Sequence, residues 1–161
     1  MRKVIVSLLF LSIALLSIMP VLAAPISEVT ASQNQPPARD DEFEREVIAR
    51  LTEIAPDAVP VFQQATADWD ADNAEAAKAG FERVLELAPN FPDALRRLAN
   101  IEAQLELFDQ SVGHARAAYT ASKTPENATQ LAASLLFLED PKLHGEALTL
   151  AQEGADGNPD G

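Results

Sequence analysis

"ERVLELAPNFPDALRRLA", residues 82–99, decides how this chain is built, because a degraded copy, "ARLTEIAPDAVPVFQQA", occupies residues 49–65. Arg50 answers Arg83, Glu53 answers Glu86, Ile54 answers Leu87, and Ala55-Pro56-Asp57 answers Ala88-Pro89-Asn90, all at an offset of 33 residues. In both copies an amphipathic helical run stops at Ala-Pro, since a proline disfavours helical geometry in the residue before it. A second apolar run starts a few residues later, so the unit that repeats is a helix, a turn and the start of another helix.

The same reading extends to the rest of the chain. From Asp40 onward the apolar residues fall at helical spacing and nowhere alternate strictly, so the domain is all-α. Phe43, Val47, Leu51 and Ile54 form one stripe, and Asp41-Glu42-Phe43-Glu44 reads as a capping box. Helices are predicted over 58–70 and 74–88, parted at Asp70-Ala71-Asp72-Asn73, with Asp72 and Glu75 as a second capping box. Pro92 opens a helix running to about Leu107, and Asp109 caps the next, which lasts to about Ser122. Thr124 before Pro125 and Asp140 before Pro141 open the last pair, with proline at a position whose N–H has no helical partner anyway. This gives seven helices: a leading one within 40–56 and three pairs within 57–161. The openings at Val59, Pro92 and Pro125 are spaced by 33 and 33, whereas Ala77, Ser111 and Ala147 are spaced by 34 and 36. The last pair therefore carries two or three extra residues, expected as an added turn on its second helix.

A two-helix unit of about 34 residues resembles the tetratricopeptide repeat. Phe62, Trp69, Ala77, Phe81 and Pro89 stand where that family places its large, small, aromatic and terminal proline residues in one repeat. Leu95, Leu98, Ala99, Ser111, Ala115, Ala118 and Tyr119 do so in the second, and Leu131, Ala132, Leu135, Ala147, Ala151 and Pro159 in the third. The family's glycine at the helix crossing is replaced by Thr66, Ala99 and Ala132, and Ala115 and Ala151 stand in for its usual aromatic. The resemblance implies a helix-turn-helix repeat solenoid of about three and a half repeats, the leading helix being the second half of an eroded one. Such pairs cannot hide their apolar faces alone and are stabilised by stacking. An irregular helical bundle of the same length is the competing arrangement.

The ends of the chain carry a different message. Arg2 and Lys3 precede the uncharged run "VIVSLLFLSIALLSIM", and Val21-Leu22-Ala23 forms a small-residue cleavage pattern, so residues 1–23 read as a secretory signal peptide. An uncleaved membrane anchor is the alternative, since the run approaches the roughly 20 residues that span a bilayer. Residues 24–39, with three prolines and scattered apolar residues, read as a flexible linker. The expected location is the periplasm or the cell exterior. Without Arg2 and Lys3 the 12 basic residues fall to 10 against 25 acidic ones, which makes nucleic acid a poor partner. The chain has no cysteine, so its stability is expected to come from packing alone.

Residues able to do chemistry are sparse. "DWDADN", 68–73, spaces acids like the start of a calcium loop but has Asn73 and Ala79 where that loop needs glycine and glutamate. His114 and His144, the two histidines, fall short of a zinc site's three or four ligands. No phosphate-binding glycine loop or Gly-x-Ser-x-Gly elbow occurs, and neither an enzyme nor a cofactor is expected. Asn127-Ala128-Thr129 is a formal glycosylation sequon that helix capping explains as well. Trp69, at helical spacing from Phe62 and Ala65, reads as core before it reads as a binding aromatic.

By its resemblance the chain is expected to be a protein–protein interaction module that holds a peptide or partner helix in a groove lined by the first helix of each pair. Gln63, Ala67, Asp70, Arg96, Asn100, Ala103, Thr129, Ala133 and Leu136 are the lining residues so implied. Arg96 and Asn100 resemble part of a carboxylate clamp, which Gln63 with Ala67 and Thr129 with Ala133 do not complete. A second reading is an assembly subunit docking end to end or self-associating, because no polar capping helix follows the face of Leu143, Leu148, Leu150 and Ala151.

Overall fold

A computed structural model describes residues 40–157; the signal-peptide and linker readings and Pro159 lie outside them. Seven α-helices follow one another among the described residues: α1 (Asp41–Ile54), α2 (Val59–Asp70), α3 (Ala74–Leu87), α4 (Pro92–Gln104), α5 (Phe108–Ala121), α6 (Pro125–Phe137) and α7 (His144–Gly157). Single 3₁₀ turns, Pro56–Ala58 and Pro141–Leu143, lead into α2 and α7. The second of these is the extra turn that the spacing of the last pair requires. None of the described helices is long and apolar enough to cross a membrane.

Helix ends differ from the sequence reading by local hydrogen bonding. Asp40, not Asp41, caps α1, accepting from the backbone N–H groups of Glu42 (2.9 Å) and Phe43 (3.3 Å), and Glu44 pairs with Arg97 of α4. Asp72 does not cap α3; it takes a left-handed conformation with φ 58°, and Asn73 precedes the helix without a side-chain cap. Likewise α4 stops at Gln104, and Glu106 (φ 60°) turns the chain before Asp109 can act as a cap. The same turn recurs: Asp72 and Glu106 donate to Trp69 and Ala103, while Asn73 and Leu107 donate to Asp68 and Glu102. These paired bonds form a Schellman motif, normally built on glycine. Glu139 (φ 52°) holds the equivalent place in the third pair. Thr124 caps α6 as expected, accepting from the Asn127 N–H at 3.4 Å.

Small residues let the paired helices approach, though not always on the helix the resemblance suggests. A side chain added at Gly80 of α3 would put its Cβ 2.6 Å from the Ala65 Cβ, so the glycine of this crossing sits on the second helix of the pair. In the second pair Ser111 fills the crossing and donates to the Ala99 carbonyl at 2.8 Å. Two apolar clusters result. The first gathers Val47, Leu51, Phe62, Phe81, Val84, Phe91, Leu98 and Ile101, with Phe62 meeting Phe81 and Phe91 edge-on at 5.4 and 6.0 Å, a favoured aromatic geometry. Trp69 is half-buried against it. The second gathers Ala99, Ala115, Leu131, Leu135, Ala147 and Leu150. Because α4 contributes to both, it is the central element of the array.

Candidate functional site

The face expected to hold a partner is built on α4, whose sequence "PDALRRLANIEAQ" buries charged residues among its apolar ones. Arg97 is 2% exposed. It donates to the Thr66 hydroxyl at 2.8 Å, pairs with Glu44 and lies over the Phe62 ring at 4.6 Å from its centroid. Thr66 in turn donates to the Phe62 carbonyl at 2.9 Å. Asp93, also buried, lies between two guanidinium groups: Arg50 at 3.1 Å and Arg96 at 3.5 Å. Arg96 stacks on Phe43 as well, 5.6 Å from the ring centroid. An arginine packed against an aromatic face keeps its charge while covering apolar surface.

Beyond this cluster a chain of polar side chains ties α4 to α6 and α5. Gln104 donates to Asn100 (3.2 Å), Asn100 to Gln130 (3.4 Å) and Gln130 to Ser134 (3.3 Å), and Ser134 meets Ser111 at 2.8 Å. The chain ends at the buried Ala99 carbonyl. Every member is thereby oriented by its neighbours, which fixes the amide groups that reach the surface.

The groove residues named from the sequence all remain accessible to solvent, but the structure gathers only some of them. Arg96, Thr129 and Ala133 share one cleft of about 340 Å³ with Pro125, Glu126, Gln130 and Gly154. Asn100 does not line it but donates to Gln130, which does. Gln63 lines a separate cleft of about 710 Å³ with Asp41, Glu44, Arg45 and Ile48 of α1. Asp70, Ala103 and Leu136 line neither; Leu136 is 53% exposed. The Arg96 cleft offers one cation, one carboxylate, amide and hydroxyl groups and a small apolar floor. That set can hydrogen-bond an extended backbone or a short polar side chain.

Several features escaped the sequence reading. Glu44, Arg50, Asp93 and Arg97 form the ion-paired cluster; the detectable signal was Arg97, which falls on the buried stripe with Ala94, Leu98 and Ile101. Glu102, fully buried on the same helix, meets His114 Nδ1 at 2.7 Å and so ties α4 to α5. Asp68 lies within α2, where it accepts from Gln64 at 3.2 Å, instead of opening a loop. Asn127 of the sequon is buried and donates to the Ser122 and Ala118 carbonyls at 2.8 and 3.4 Å.

No protein-family model matches the chain, and no curated protein matches it in sequence. In shape it is similar to the first TPR domain of Spaghetti (RPAP3), solved bound to the HSP90 peptide SRMEEVD, with 14% sequence identity and a TM-score of 0.61. The alignment covers 66% of this chain and 83% of that one. The described residues thus form a tetratricopeptide-type stack of helical pairs.

Proposed function

We propose that this protein is a non-catalytic interaction module that holds a peptide or a partner helix on the face formed by α2, α4 and α6. The observation that carries this reading is the open cleft between α4 and α6, in which Arg96, Glu126, Thr129 and Gln130 present charged and hydrogen-bonding groups around Ala133. The Spaghetti domain, which has the same fold and was solved with a peptide, supports it by analogy. Residues 1–23 support export, which would place the module in the periplasm or outside the cell.

A displayed peptide library selected on the full chain tests the reading. Selected peptides should cross-link to a photoreactive residue introduced at Asn100 or Thr129. Labelling confined to Thr120, on the outward side of α5, would overturn it. A second reading, end-to-end assembly or self-association, draws on the last helix, where Leu148 is 62% exposed and Ala151 is exposed beside it. Sedimentation over a concentration range separates the two: a monomer throughout removes self-association.

A further inference from the structure

The leading helix is expected to stack on α2 as the remnant of a preceding repeat, and Val47 and Leu51 do enter the first apolar cluster. Three of its other side chains reach a different helix. Glu44 reaches Arg97, Arg50 reaches Asp93, and the Phe43 ring lies under Arg96, all on α4. On α2 the same helix faces Gln63. Asp93, Arg96 and Arg97 occupy one turn of α4 immediately before Asn100, and Gln63 holds the equivalent place to Arg96 one repeat earlier. Thus α1 lies across the seam between α2 and α4, over the first half of the face that the cleft between α4 and α6 continues. Arg96 borders both halves: it lines the open cleft and also a second cleft of about 370 Å³ walled on one side by Phe43, Arg50 and Ile54.

We propose that α1 is an internal ligand of this face: an amphipathic helix, tethered in cis, that occupies the α2–α4 seam and must be displaced by any partner helix that uses it. The proposal rests on reading the α2–α4–α6 face as the partner site. Its chemistry is written in α1 itself. An aromatic residue is followed directly by an acid, with aliphatic residues four and eight positions on and a base at the seventh, as in Phe43, Glu44, Val47, Leu51 and Arg50. Such i, i+4, i+8 anchors are how helices seat in grooves. Ala55 leaves helical geometry (φ −151°, ψ 79°) and only the Pro56–Ala58 turn follows before α2. The tether therefore keeps α1 at high effective concentration, and a competitor's apparent affinity falls by the fraction of molecules in which the seam is open. Without displacement, only the α4–α6 half is open to a partner.

The test uses the full chain and a synthetic peptide of residues 40–55. In the variant Glu44→Lys with Arg50→Glu, both ion pairs to α4 become repulsive, and α1 should loosen while the remaining helices stay stacked. Amides of α1 should exchange at least tenfold faster than in the parent, with those of α4 to α6 unchanged, and the peptide should bind the variant at least tenfold tighter than the parent. Should the charge reversal lower the melting of the whole chain, Phe43→Ala gives the same comparison. Equal peptide binding by parent and variant, or loss of protection in α1 and α4 together, would overturn the proposal and make α1 an inseparable part of the stack. The library cross-links at Asn100 and Thr129 judge the partner site separately, so either idea can fail while the other stands.

Discussion

Tyr119, the chain's single tyrosine, shows how one side chain reports on the stack. Its hydroxyl on α5 donates to the Glu153 carboxylate on α7, and that hydrogen bond, helped by desolvation and the nearby negative charge, raises the phenol pKa above its ordinary 10.0. The folded value exceeds the unfolded one, so the bond's contribution is present below about pH 10 and is lost as pH rises through the folded value. Tyrosinate absorbance should therefore appear above the ordinary range in the parent and return toward it in Glu153→Gln. Gly80 is a packing counterpart. Replacing it with alanine adds helix propensity worth about 1 kcal/mol, yet the new Cβ would meet Ala65 at 2.6 Å, its backbone included at 3.2 Å. Overpacking of this kind costs about 1–3 kcal/mol, so a melting experiment should show Gly80→Ala less stable than the parent, against the propensity trend.

The elements are held by turns whose regularity is clearer in the backbone than in the residues. Asp72, Glu106 and Glu139 are left-handed at matching places after α2, α4 and α6, where a side chain costs roughly 1–2 kcal/mol. Glu106 is exposed, so Glu106→Gly should raise stability by about 0.5–1 kcal/mol in chemical denaturation, part of the relief being offset by the entropy of the unfolded glycine. These turns explain why the sequence reading overran α4 and misplaced the caps before α3 and α5. Acidic residues near a helix start look like caps, and the left-handed geometry that removed them from that role normally announces itself with glycine. Elsewhere the signals were explicit. Pro92, Pro125, the Ala-Pro stops and Thr124 marked their boundaries because each acts locally, through backbone geometry or a hydrogen bond within one turn.

For the whole molecule, the repeat was legible because stacking requires the same small and large residues at each crossing, and a period of 33 or 34 residues leaves that pattern in the chain. The candidate site was legible in part. Arg96, Thr129 and Ala133 share a cleft as a first-helix face requires, whereas Gln63 meets α1, because the copy at residues 49–65 discloses where α1 ends and not which helices it touches. Long-range pairs such as Glu44 with Arg97 and Arg50 with Asp93 join residues 53 and 43 positions apart and have no periodic signature. A single affinity comparison bears most directly on whether the α4–α6 face is the working surface. With a peptide selected on the parent, Arg96→Ala with Asn100→Ala should weaken binding by about 1–3 kcal/mol, the range for hydrogen bonds to charged groups, while Leu148→Ser should leave it unchanged. Undiminished binding by the double variant, with loss in Leu148→Ser, would contradict the groove and place the contact on the end of the stack.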